Sequence, residues 1–181
     1  MKELSLNILD ITENSVKAKA TLVEIVIEET DKHLIISIVD NGTGMTEETL
    51  RTVENPFYTT RTTRKVGMGI PLLKFACEQT GGSLTISSKH IKECEDHGTV
   101  VKAVFNKTHI DFTPLGDIIS TLITLVQGHS DIDFIFKHTF NEKSVFLDTR
   151  EIRAILEDVP LDTYEVLSWI RDNLTEQYSD F

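Results

Sequence analysis

Several short clusters have the residue types and spacing to do chemistry. Asp10, Glu13 and Asn14 fall at i, i+3 and i+4, so a helix would present two carboxylates and an amide on one side while Leu4, Ile8 and Ile11 take the other. Taken alone, that set also fits an ordinary solvated helix face. Asp40-Asn41-Gly42-Thr43-Gly44-Met45 places an acid at the end of an apolar strand, followed by two glycines spaced by one. Such a run lets backbone approach a flat ligand closely, although Asn-Gly is equally a plain tight-turn signal. Gly67-Met68-Gly69 heads a helix whose first turn offers free N–H groups and a positive dipole end to a phosphate, with Arg61, Arg64 and Lys65 just upstream. Neither the Walker pattern nor the full Rossmann pattern is present, which argues against a P-loop or dinucleotide fold. Gly98-Thr99 opens a strand, where strand-turn chemistry accounts for it as readily as a ligand does.

The elements that must position these residues follow from periodicity. Leu4, Ile8, Ile11 and Ser15 form one stripe of an amphipathic helix over residues 3 to 18, with Leu9 and Val16 beside it. Strands at 21 to 28 and 33 to 40 form a hairpin that ends at Asp40. Thr46 can cap a short helix running to about Val53. Residues 55 to 69 have neither helical nor strand period and read as a long loop, of the kind that is usually functional. Helical spacing returns from Ile70 to Thr80 and stops at Gly81-Gly82. Strands at 83 to 88 and 98 to 106 make a second hairpin. After Asn106 the pattern starts afresh: a helix after Pro114 ending near Gly128, strands at 131 to 140 and 144 to 148, and helices at about 149 to 157 and 162 to 177. Trp169, between Leu167 and Ile170, reads as buried.

Composition narrows the classes of function. The chain has 181 residues, 40% of them apolar, enough for a substantial core. No apolar run approaches the roughly 18 residues a membrane span needs, and the first residues alternate apolar with charged, so the expectation is a cytoplasmic chain without membrane contact. Cys77 and Cys94 are too few and too far apart for a zinc site or a disulfide framework; packing suits Cys77 and a surface thiol suits Cys94. The net charge of -11 is uneven, with 13 basic and 15 acidic residues in 1 to 107 against 5 and 14 in 108 to 181. Nucleic acid and anionic membranes would repel such a chain, which favours small-molecule and protein partners.

Taken in order, acidic-x-x-x-Asn on a helix, Asp-x-Gly-x-Gly after a strand, Gly-x-Gly after a loop and Gly-Thr before a strand resemble the four boxes of the GHKL superfamily. This group joins histidine kinases, MutL-type mismatch-repair proteins, type II topoisomerases and heat-shock chaperone ATPases. Glu13-Asn14-Ser15-Val16-Lys17-Ala18-Lys19-Ala20-Thr21 is similar to the MutL Asn box. Pro56-Phe57-Tyr58-Thr59-Thr60-Arg61, Gly67-Met68-Gly69-Ile70 and Glu78-Gln79-Thr80-Gly81-Gly82 are similar to the ATP lid and following helix of histidine kinases. The resemblance implies an α/β (α+β) two-layer sandwich of Bergerat type over residues 1 to 107, with a mixed, mainly antiparallel sheet covered by helices on one face. Residues 108 to 181 would then be a small acidic α/β appendage offering a partner or regulatory surface.

By the same resemblance the ligands are ATP and Mg²⁺. Asn14 takes the position that ligates the magnesium, a hard cation suited to an amide oxygen. Asp40 takes that of the acceptor for the adenine amine. Gly42, Gly44 and Met45 would pass beside the base, Thr99 would support Asp40 through water, and the backbone of Gly67, Met68, Gly69 and Ile70 would wrap the phosphates. Lys17 would touch phosphate, and Arg61 takes the place of a nucleotide-binding lid lysine or arginine. The catalytic position falls on Asp10, where ATP-hydrolysing and serine-kinase relatives usually have glutamate as general base. Aspartate is shorter by one methylene, roughly 1.5 Å, and an error of about 1 Å can cost on the order of 10²-fold in rate. Glu13 is an alternative carboxylate.

None of His33, His90, His97, His109, His129 or His138 sits in a phosphoacceptor motif, so autophosphorylation on histidine in cis is not expected. His109 with Asp111 and Asp117 could invite a metal reading, against an ordinary linker and helix cap. The expectation is a slow ATPase or ATP-operated switch acting on a partner protein through the acidic C-terminal segment, with a homodimer also allowed. The alternatives are a serine/threonine kinase of the anti-sigma-factor type and a non-catalytic nucleotide sensor.

Overall fold

Alternating apolar residues in each strand can be buried only if the strands share one sheet with one covered face. In the computed structural model, which describes residues 3–53 and 69–181, they do so. The elements run α1 (Leu4–Lys17), β1 (Leu22–Glu29), β2 (His33–Asp40), α2 (Glu47–Val53), α3 (Gly69–Gln79), β3 (Ser83–Lys89), β4 (Gly98–Asn106), α4 (Ile118–Gly128), β5 (Asp133–Phe140), β6 (Lys143–Asp148), α5 (Thr149–Leu156) and α6 (Tyr164–Ser179). The strands form one six-stranded sheet in the order β3-β4-β2-β1-β5-β6. All neighbouring pairs are antiparallel except β1 and β5.

Register puts the apolar residues on one side. Ile25 lies opposite Ile38 on β2 and Phe136 on β5, and Ile38 lies opposite Val101 on β4; all are buried. Helices cover that face through Leu4, Ile8 and Ile11 of α1, Leu73 and Cys77 of α3, Leu122 and Val126 of α4, and Ile170 and Leu174 of α6. The other face keeps Lys102 and Lys137 exposed. This is the two-layer α/β sandwich the resemblance implies. The sheet runs straight across the change in sequence character near residue 107: β5 lies against β1 along its whole length, and β6 extends it. The core is continuous through both parts.

Helix ends follow local chemistry. The helix after Pro114 begins only at Ile118, because Gly116 takes a positive φ of 78° and Asp117 caps by accepting from the Ser120 N–H. Gly81, at φ 76°, ends α3 as its sequence suggests. Burial pushes the Cys77 thiol up to about 11, consistent with packing rather than reactivity, while Cys94 is half-buried. Trp169 departs from expectation: it is 55% exposed, because the buried stripe of α6 runs through Val166, Leu167, Ile170 and Leu174 and leaves Trp169 to one side. Among the described residues, no helix is long and apolar enough to cross a membrane.

Candidate functional site

Helix α1 packs on the sheet so that its last turns meet the end of β2. Ser15, buried at this junction, donates its hydroxyl to Asp40 Oδ2 at 2.7 Å, and the Gly42 N–H donates to Oδ1 at 2.9 Å. One carboxylate is thus fixed by two donors from two elements. Each oxygen keeps acceptor capacity for a further donor.

The chain after Asp40 is held close to its neighbours. Asn41 accepts from the Thr21 and Leu22 N–H groups, the Thr43 N–H donates to the Ala18 carbonyl, and the His97 ring meets the Gly42 carbonyl at 2.6 Å. Gly44 is there for a physical reason. Its φ is +65°, and a Cβ would lie 2.0 Å from the Lys89 carbonyl oxygen. Ser88 ties the same loop to β4, since its hydroxyl accepts from the Met45 N–H and lies 2.9 Å from the Thr99 hydroxyl. Thr99 stands opposite Asp40 in the sheet.

These elements enclose a cavity of about 190 Å³. Asn14, Ser15, Asp40, Gly44, Met45 and Thr99 line it, with Ile11, Ala18, Val53, Ile70 and Val101 as its apolar walls. A slot with apolar sides and a fixed carboxylate suits a flat heterocycle bearing an amino group. The Asn14 amide, on the same wall, offers the oxygen a hard cation takes. The donor set therefore fits a magnesium nucleotide. Among the described residues no group of three or more His, Cys, Asp or Glu side chains converges on a metal position, so a cation here would rely on oxygens from its ligand and water as well as Asn14. His109 and Asp111 pair within one turn while Asp117 caps α4.

Asp10 and Lys17 do not line the cavity; both are exposed on α1. Asp10 instead lies against the first residue of α3, where a Cβ on Gly69 would come 3.0 Å from that of Asp10. The Asp10 Cβ and the start of α3 are therefore adjacent. Glu13 turns elsewhere and meets the His129 ring at 2.8 Å, at the C-terminal cap of α4. Arg61, Gly67 and Met68 lie outside the described residues. Sequence reasoning did not single out Ser15, Ser88 or His97 as fixing the loop, because each acts across the fold. The small hydroxyl directly after Asn14 was the one local hint.

The comparisons agree with this geometry. Residues 2–109 match the sequence model of the family described as histidine kinase-, DNA gyrase B- and HSP90-like ATPase. The chain is 30% identical over 100 residues to the sensor histidine kinase YvrG of Bacillus subtilis (strain 168), covering 52% of this chain and 16% of that protein. It is 32% identical over 91 residues to sporulation kinase C of the same organism, covering 49% and 20%. The chain thus matches at most 20% of the length of these two relatives. The Aquifex aeolicus MutL ATPase domain complexed with ADP shares the fold at a TM-score of 0.54 and 15% identity, covering 87% of this chain and 70% of that one. That coverage reaches beyond residue 109, so the common fold takes in part of the C-terminal segment. With the family match spanning the helix, the strand end and the loops that build the cavity, the chain belongs to the histidine kinase-, DNA gyrase B- and HSP90-like ATPase family.

Proposed function

We propose that this chain binds Mg-ATP in the cavity between α1, the end of β2 and α3, and works as a slow ATPase or ATP-operated switch on a partner protein. The observation that carries this reading is the Asp40 carboxylate, held by Ser15 and Gly42 at the wall of a slot that Asn14 also lines. Asp40 accepts from the adenine amine, Thr99 supports it through water, and Gly42, Gly44 and Met45 pass beside the ring. Asn14 holds the magnesium through its amide oxygen. The backbone from Gly67 to Ile70, with Lys17 and Arg61, binds phosphate, as free N–H groups at a helix start favour. Bound Mg-ATP supplies the transferable phosphoryl group, with the metal neutralising its charge.

Asp10 acts as the general base, accepting the proton of the attacking oxygen. The closeness of the Asp10 Cβ to Gly69 supports this role, as does the engagement of Glu13, the other carboxylate of the set, with His129. Exposure of Asp10 also favours a second reading, a serine/threonine kinase of the anti-sigma-factor type, since a partner's hydroxyl could reach it as readily as water. Labelled ATP with magnesium separates the two. Phosphate release lost in both Asp10→Asn and Asn14→Ala supports the ATPase, and transfer of label to added protein supports the kinase. Binding without either leaves a nucleotide sensor, and no binding refutes the proposal.

A further inference from the structure

On the far side of the sheet order from the Asp40 cavity, α5 and α6 leave an apolar groove of about 390 Å³. Ile152, Ile155, Leu156, Val166 and Trp169 line it with Glu165. Ile155 is 80% exposed and Trp169 55%, with Val159 at the adjoining turn 46% exposed. Large apolar side chains gathered in one exposed groove mark an interaction surface.

Charge states what fits it. Glu151, Glu157, Asp158, Asp162, Glu165 and Asp172 of this helix pair and its connection are all exposed. Of the three arginines on these helices, Arg150 pairs with Asp148 and Arg153 with Asp133, and the exposed Arg171 lies two residues past Trp169, about 200° around α6 from it. The groove therefore has an apolar floor with Glu165 in its lining, and a rim of a helix pair on which exposed acids outnumber arginines. A second copy seated symmetrically would set that rim against itself, and nucleic acid or an anionic membrane would be repelled. We infer that the α5–α6 groove docks an amphipathic helix of a partner protein, with an aliphatic ridge at i, i+3/i+4 and i+7 entering beside Ile155 and Trp169 and flanking lysines or arginines meeting the acidic rim. This gives a surface to the partner engagement proposed above and rests on that reading only for its coupling to ATP.

Trp169 is the sole tryptophan and reports docking directly. The probe is a synthetic tryptophan-free helical peptide with a leucine ridge and lysine flanks, titrated into the full chain while Trp169 emission and the anisotropy of labelled peptide are followed. Saturable binding with a blue shift of Trp169 is expected, weakened by salt. Ile155→Asp, at an exposed position, should weaken it about tenfold or more; Ile155→Ala should give a smaller loss in the same direction. Replacing the leucines with serine, or the lysines with glutamate, should each weaken it comparably. No emission shift, equal binding of either control peptide, or a shift that follows protein concentration without peptide overturns the inference. ATP titrated into the same samples keeps the two readings apart: peptide binding without ATP binding would sink the switch and leave the groove, and the converse would do the reverse.

Discussion

Replacing Ser15 with alanine removes one of the two donors that hold Asp40 and leaves the Gly42 N–H in place. The lost bond is short, 2.7 Å, and runs from a hydroxyl on a residue only 3% exposed to a carboxylate. Hydrogen bonds to charged groups contribute about 1.5–3 kcal/mol. Asp40 is half-buried and can recruit water in place of the serine, so the lower end applies, about 1.5 kcal/mol. Expressed in binding, that is about tenfold; expressed in stability, it lowers the melting temperature by about 3–6 °C for a chain of this size. Calorimetric titration with ATP, ADP and adenosine, beside thermal melts, shows how the loss divides. With Asp40 on the adenine as proposed, the affinity loss should be similar for all three ligands, whereas Asn14→Ala should weaken chiefly the magnesium-bound phosphorylated ones. A loss confined to ATP, with ADP and adenosine bound as in the wild type, would refute the assignment of Asp40 to adenine.

Gly44→Ala must move the loop, since its Cβ would sit 2.0 Å from the Lys89 carbonyl and its φ is left-handed; the backbone term alone costs about 1–2 kcal/mol. Circular dichroism should show a folded protein whose adenosine affinity falls about tenfold or more, and retained affinity would count against the slot. Glu13→Gln should cost about 0.2–1 kcal/mol through its partly exposed pair with His129 and leave phosphate release unchanged; a loss of turnover there would move the base from Asp10 to Glu13. Burial of His138 holds its imidazole below the ordinary 6.5, against the opposing effect of the hydrogen bond its Nε2 donates to Glu29. The unfolded chain then binds more protons between the two values, so stability falls as pH drops through about 6.5 and below. Melts between about pH 7.5 and about pH 5.5 should show the slope, and His138→Gln should flatten it; equal slopes would show that other groups carry it.

Element positions were legible because each depends on local pattern. The first hairpin ends at Asp40 as read, and Thr46 caps α2 through the Thr49 N–H. Pairing between distant segments was not legible. Nothing in the local alternation of Phe134, Phe136 and His138 says that β5 lies parallel to β1, which brings residues 108 to 181 into the same sheet and core. The site divides in the same way. Asp40, Gly44 and Asn14 were singled out by the ordered set of boxes that resembles the family, whereas the Ser15 contact joins residues 25 apart and exists only once α1 has packed on β2. Trp169 was misread because its sequence neighbours are buried, and a residue's neighbours in a helix face other directions.

The central claim is that the Asp40 slot binds the adenine of ATP. Asp40→Asn keeps the shape and replaces one carboxylate oxygen with an amide nitrogen, turning an acceptor into a donor facing the adenine amine or the Ser15 hydroxyl. Titration calorimetry with Mg-ATP should give one saturable site in the wild type and, in a variant that melts cooperatively, a loss of about tenfold or more. Equal affinity in the two proteins, or no binding to the wild type, would contradict it.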